Sequence, residues 1–137
     1  MLLPLVLAMA MQAAVPSSMV VVSREAMSNV EEPKQAVART AAEWSALWRL
    51  HAGESAPMPK VDLNARTVVA VFLGTRTTAG FAVEIVGTRQ ANGSLIVQWQ
   101  ERRPSRDVIT AQVITTPAVI ASIPKFAGPI TFEKVEK

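Results

Sequence analysis

The sequence predicts a mainly β (α+β) domain, an antiparallel sheet or sandwich-like arrangement of five to seven strands with one amphipathic helix at about 41–52. Three observations predict it. Runs of β-branched residues, alternating or wholly apolar, recur through the second half of the chain. Turn residues interrupt them at short intervals, and one stretch alone carries strong helical spacing. The 137 residues suffice for a single domain with its own core, placed at 15–137, and a chain that is 50% apolar and 18% charged is not expected to be disordered.

Residues 1–14 stand apart. From Leu2 to Ala14 the one polar side chain is Gln12. As a helix this run would reach roughly 20 Å, short of the ~30 Å hydrocarbon core of a bilayer. It reads as the apolar region of a signal peptide, with small residues at Ala13 and Ala14 for cleavage. On that reading the protein is exported, periplasmic or secreted, and its mature chain has no membrane span. The alternative is a first strand or buried N-terminal segment in a cytoplasmic protein.

Met19–Val22 is a short strand, and Glu25–Arg39, polar and carrying Pro33, reads as a connection. Thr40-Ala-Ala-Glu43 has the capping-box pattern, with the Thr40 hydroxyl accepting from the Glu43 N–H and the Glu43 carboxylate reaching back to the Thr40 N–H. Trp44, Leu47, Trp48 and His51 follow at i, i+3, i+4 and i+7, a stripe expected to face the core, and Gly53 stops the helix. His51 lies in the last turn, where the helix dipole favours a protonated ring.

Val68–Leu73 is apolar on both faces, as an interior strand must be. Phe81–Gln90 and Leu95–Glu101 alternate and flank Asn92-Gly93, the pair a type I′ hairpin turn requires. Val108–Thr115, Val119–Ile123 and Ile130–Val135 complete the strands. The short connections favour antiparallel neighbours in a meander.

Composition narrows function. With no cysteine there are no disulfides, no cysteine catalysis and no thiolate metal site, and one histidine with scattered acids leaves no paired acid/base. No phosphate-cradling glycine loop is present. The expectation is a non-enzyme without metal or cofactor. A net charge of +3 with no dense basic patch argues against nucleic acid. The cluster Glu101–Asp107 reads as a solvated link between strands.

One loop stands out. Gly74 and Gly80 bracket Thr75-Arg76-Thr77-Thr78-Ala79, longer than a minimal hairpin turn. Composition alone reads it as a structural hairpin link, and the alternative is a contact site, since loops held by a rigid sheet are frequently such sites. The candidate contact residues are Gly74, Arg76, Thr77, Thr78, Ala79, Gly80 and Phe81. Gln112, Thr115, Thr116 and Pro117 are secondary candidates, should they fold nearby.

These residues also carry a resemblance. Glu43-Trp44, Leu47-Trp48, Val69–Gly74, Arg76–Ile85, Gln112–Pro117, Ile123-Pro124 and Gly128–Phe132 occur in the order found in the PrcB C-terminal domain family, which is named for a component of a protease complex. The family's loop is close to G-x-R-P-T-G-G-Y. Thr77 stands here for the usual Pro, Ala79 for Gly and Phe81 for Tyr, and Ala118 follows Pro117 where an aromatic is usual. Loss of Pro and Gly is expected to loosen the loop, and Phe81 lacks the Tyr hydroxyl. The resemblance implies a non-catalytic accessory or stabilising subunit whose partner is another protein, such as a secreted protease. Thr78-Ala79-Gly80-Phe81 is also similar to a loop of chagasin-like protease inhibitors, which gives the alternative function of an inhibitor using residues 74–81.

Overall fold

Strand β3 decides the architecture, because its two faces serve two different cores. The computed structural model describes residues 18–136. The 1–14 segment, and with it the signal-peptide expectation, lies outside the described residues. In chain order the elements are β1 (Val20–Glu25), β2 (Lys34–Ala38), α1 (Ala41–Ala52), β3 (Arg66–Phe72), β4 (Ala82–Ala91), β5 (Ser94–Arg102), β6 (Ala118–Pro124) and β7 (Ile130–Lys134). They form a four-stranded sheet in the order β1-β6-β3-β2 and a three-stranded sheet in the order β4-β5-β7.

Alternate residues of β3 and β6 point to opposite sides of the first sheet. Val69 and Val71, paired with Ala121 and Val119, face the second sheet. There they meet Val83, Ile85, Leu95, Val97 and Trp99, and this is the core of a β-sandwich. Val68, Ala70 and Phe72, with Ala118 and Ile120, face the other way and pack against Trp44, Leu47 and Trp48 of α1. The layers are therefore helix, sheet, sheet. This is why Val68–Phe72 of β3 and Ala118–Ala121 of β6 are apolar on both faces.

The helix begins as the capping pattern predicts, with one shift. The Thr40 hydroxyl accepts from the Glu43 N–H at 3.1 Å, but the Glu43 carboxylate accepts from the Arg39 N–H at 2.8 Å, not from that of Thr40. At the other end the Gly53 N–H donates to the Arg49 carbonyl. Each helix indole donates to a carbonyl of the loop that follows, Trp44 to Pro59 and Trp48 to Ala56. The Asn92-Gly93 turn has φ of 54° and 83°, the positive values of the expected hairpin.

Four expectations are corrected. The topology is not a meander, because the chain passes between the sheets after β3, β5 and β6, so short links there do not join neighbours. For the same reason β5 and β7 pair in parallel. Part of the 25–39 connection is the edge strand β2, bonded to β3. Residues 108–115 form no strand; they lie in an irregular segment between β5 and β6 that touches the rest through isolated bridges.

Candidate functional site

The loop that joins β3 to β4 crosses from one sheet to the other, and its backbone is held from both sides. Gly74 has φ of 84°, and a Cβ placed on it would stand 2.9 Å from the Pro33 ring. Gly80 has φ of 98°, and a Cβ there would stand 2.8 Å from Pro104 Cβ. Both positions combine a left-handed backbone with a close approach, which glycine alone accommodates without strain.

Between them the loop is strapped to the 111–117 segment. Arg76 and Thr115 exchange backbone hydrogen bonds of 2.8 and 2.9 Å, and the Ala79 N–H donates to the Ala111 carbonyl at 3.0 Å. The Thr115 hydroxyl donates to the Thr78 carbonyl at 3.1 Å. On the opposite side the Thr75 N–H donates to the Glu31 carbonyl. These bonds hold the loop backbone with Thr at position 77. Ala79 does not take a positive φ; Gly80 does.

The structure brings the primary and secondary candidates together but gives them different parts. Thr77 and Gly80 are exposed, as is Gln112, whereas Thr115, Thr116 and Pro117 are buried and serve as the strap. Arg76 is turned inward. Its Nε donates to Glu101 Oε2 at 2.9 Å, its Nη1 donates to the Leu73 and Thr75 carbonyls, and its guanidinium lies 5.8 Å from the centre of the Phe81 ring. Phe81 therefore supports Arg76 through its ring face, which needs no hydroxyl.

Glu101 is the electrostatic centre beneath the loop, and here the reading of 101–107 as a solvated link is corrected at its first residue. Its side chain is 4% exposed and also faces Lys134 at 3.5 Å and Arg103 at 3.8 Å. The Arg76 hydrogen bond holds its carboxyl below the ordinary value of 4.5, outweighing burial, with Arg76, Arg103 and Lys134 adding charge attraction. A cavity of about 360 Å³ opens at Glu101, Arg102, Arg103 and Lys134. Among the described residues no group of three or more His, Cys, Asp or Glu could hold a metal ion.

Spacing alone did not reveal what borders the loop. Val108, Ile109, Val113 and Ile114 are exposed, Ile109 at 98% and Ile114 at 63%. Their signal was the β-branched run itself, which sequence reasoning assigned to a strand. His51 differs as well: it is buried and, mainly through that burial, held below the ordinary value of 6.5, so the dipole-favoured protonated ring is not what the fold selects.

A two-sheet β-domain with a strapped crossover loop and an exposed apolar segment beside it is the class these features define. The model of the family described as PrcB C-terminal matches residues 67–124. The resemblance read from the sequence thus holds from β3 through β6, the stretch that contains both the loop and its strap. No curated protein and no solved structure matches the chain.

Proposed function

We propose that this chain is a non-enzymatic, exported protein-binding domain, an accessory or stabilising subunit of a protease or envelope complex. The contact surface is the exposed part of the 74–81 loop together with the 108–114 segment. The observation that carries the reading is the match to the PrcB C-terminal family over 67–124, a family whose name ties it to a protease complex. The exposure of Val108, Ile109, Val113 and Ile114 next to the loop supports the choice of surface. A loop already held by hydrogen bonds from both sides loses little freedom on binding. Export rests on the apolar run Leu2–Ala14. The inhibitor reading is not carried forward: it needs the 74–81 loop to project well beyond the sheet, and the hydrogen bonds of Thr75 to Glu31, of Arg76 and Thr78 to Thr115 and of Ala79 to Ala111 favour the packed loop of an accessory subunit.

The test compares the tagged protein with an Ile109→Ser, Ile114→Ser variant in affinity capture from envelope and secreted fractions, with quantitative mass spectrometry. Both residues are exposed, so the variant is expected to fold. A protease or another component of a protease complex, enriched by the parent and lost with the variant, is the expected result. Equal recovery by both proteins overturns the surface, and the absence of any protease component overturns the partner class.

A further inference from the structure

His51 is 3% exposed at the end of α1, and the function proposed above makes no use of it. Four segments enclose its ring. Trp48 of α1 meets it edge-on and Phe72 of β3 lies tilted against it, at 5.3 and 5.9 Å between ring centroids. The Ser23 hydroxyl of β1 lies 3.4 Å from Nε2, and the Ser28 hydroxyl, in the link after β1, lies 2.8 Å from Nδ1. Glu25 at the end of β1 is the charged group that acts on the ring; it favours protonation, and burial opposes it more strongly.

Each ring nitrogen of His51 faces a serine hydroxyl that can donate or accept. Ser28 Oγ accepts from the Val30 N–H at 3.1 Å. Ser28 can donate its own proton to Nδ1 at 2.8 Å, and with that bond the ring proton is on Nε2, towards Ser23; this is the tautomer the latch below uses. A second proton, on Nδ1, reverses the short bond. Ser28 must then accept from the ring, and its hydroxyl proton is left without that acceptor in a buried place.

Ser28 is also the start of a chain of bonds to the loop. Its N–H donates to the Thr116 carbonyl at 2.9 Å, and its carbonyl accepts from the Thr116 hydroxyl at 2.5 Å. The preceding residue, Thr115, is the one that pairs with Arg76 and donates to Thr78. The link has a second anchor, since the Asn29 N–H donates to the His51 carbonyl. A contiguous network of this kind can carry a local change to a distant segment.

We propose that His51 and Ser28 form an acid-sensitive latch that sets how tightly the 111–117 segment holds the 74–81 loop. Acidification places the second proton on His51, displaces Ser28 and weakens its two bonds to Thr116, and the Arg76–Thr115 pair loosens. The latch belongs to the fold and stands whether or not the loop binds a partner.

The chain has a single histidine, so in tag-free protein its ring resonances are unambiguous. The experiment follows these signals and the amide resonances and exchange protection of Arg76, Thr115 and Thr116 from pH 7.5 to 4.5. The amides are expected to shift with the His51 midpoint, and protection at Arg76 and Thr115 to fall about tenfold for each pH unit that the folded midpoint lies below 6.5. His51→Gln is expected to abolish the response. Loop amides that do not move, or that titrate at another midpoint, overturn the latch. So does an unchanged response in His51→Gln, and if that variant does not fold, the comparison of midpoints in the parent protein decides alone.

Discussion

A carboxylate with 4% of its side chain exposed keeps its charge at Glu101 because three cations converge on it, one of them in hydrogen-bond contact. Arg76 is thereby committed to holding the loop and is not free for a partner. Replacing Glu101 with Gln keeps the shape and removes the charge that Arg76 is paired with. Hydrogen bonds to charged groups are worth about 1.5–3 kcal/mol, and Glu101→Gln is expected to lower stability by about that amount in urea unfolding. A loss below about 0.5 kcal/mol, the usual size for a surface change, would show that Arg76 finds equivalent partners in solvent. Composition could not reveal this pair, since the two residues lie on different segments and only the crossover between sheets brings them together.

At the scale of elements, the helix and the central strands were legible because each carries its own physical signature. Trp44, Leu47, Trp48 and His51 repeat at helical spacing, and Thr40 and Glu43 mark the start. Val68–Phe72 is apolar on both faces because a core lies on each side. Strand β2 was not legible: it is an edge strand, Pro33 precedes it, and Lys34 and Gln35 point to solvent. The 108–115 run failed in the opposite direction. Its β propensity is real, but Pro104 and the strap bonds to the 76–79 backbone give it another set of contacts, and its apolar side chains face outward. In the candidate site the loop could be read from its bracketing glycines, whereas its apolar border could not. The helix start offers a quantitative check. Thr40→Ala removes the acceptor for the Glu43 N–H and should cost about 1 kcal/mol. Trp44 and Trp48 lie on this helix, so fluorescence-detected urea unfolding reports it, and an unchanged midpoint would show that packing of the indoles alone sets the helix boundary.

For the whole molecule, titration should separate the two cores. The helix-side core contains His51, held below 6.5 chiefly by burial. Between its folded value and 6.5 the unfolded chain binds a proton that the folded chain refuses. Its contribution is complete above 6.5 and is lost as pH falls through the folded value. The second sheet of the sandwich carries Glu84 on β4 and Glu101 on β5, both held below 4.5, first by hydrogen bonds from Arg102 and Arg76 respectively. Their contribution is present above 4.5 and lost as pH falls through their folded values. Stability should therefore be flat above neutrality, decline below 6.5 with a slope of at most about 1.4 kcal/mol per pH unit for one proton, and decline more steeply below 4.5. Urea midpoints measured across pH 3–8 for the parent and His51→Gln test this directly. The variant should lose the upper decline and keep the lower one. Parallel curves for the two proteins down to 4.5 would mean that burial of His51 does not set acid sensitivity on the helix side, and the upper decline would then have to come from carboxylates on the sandwich.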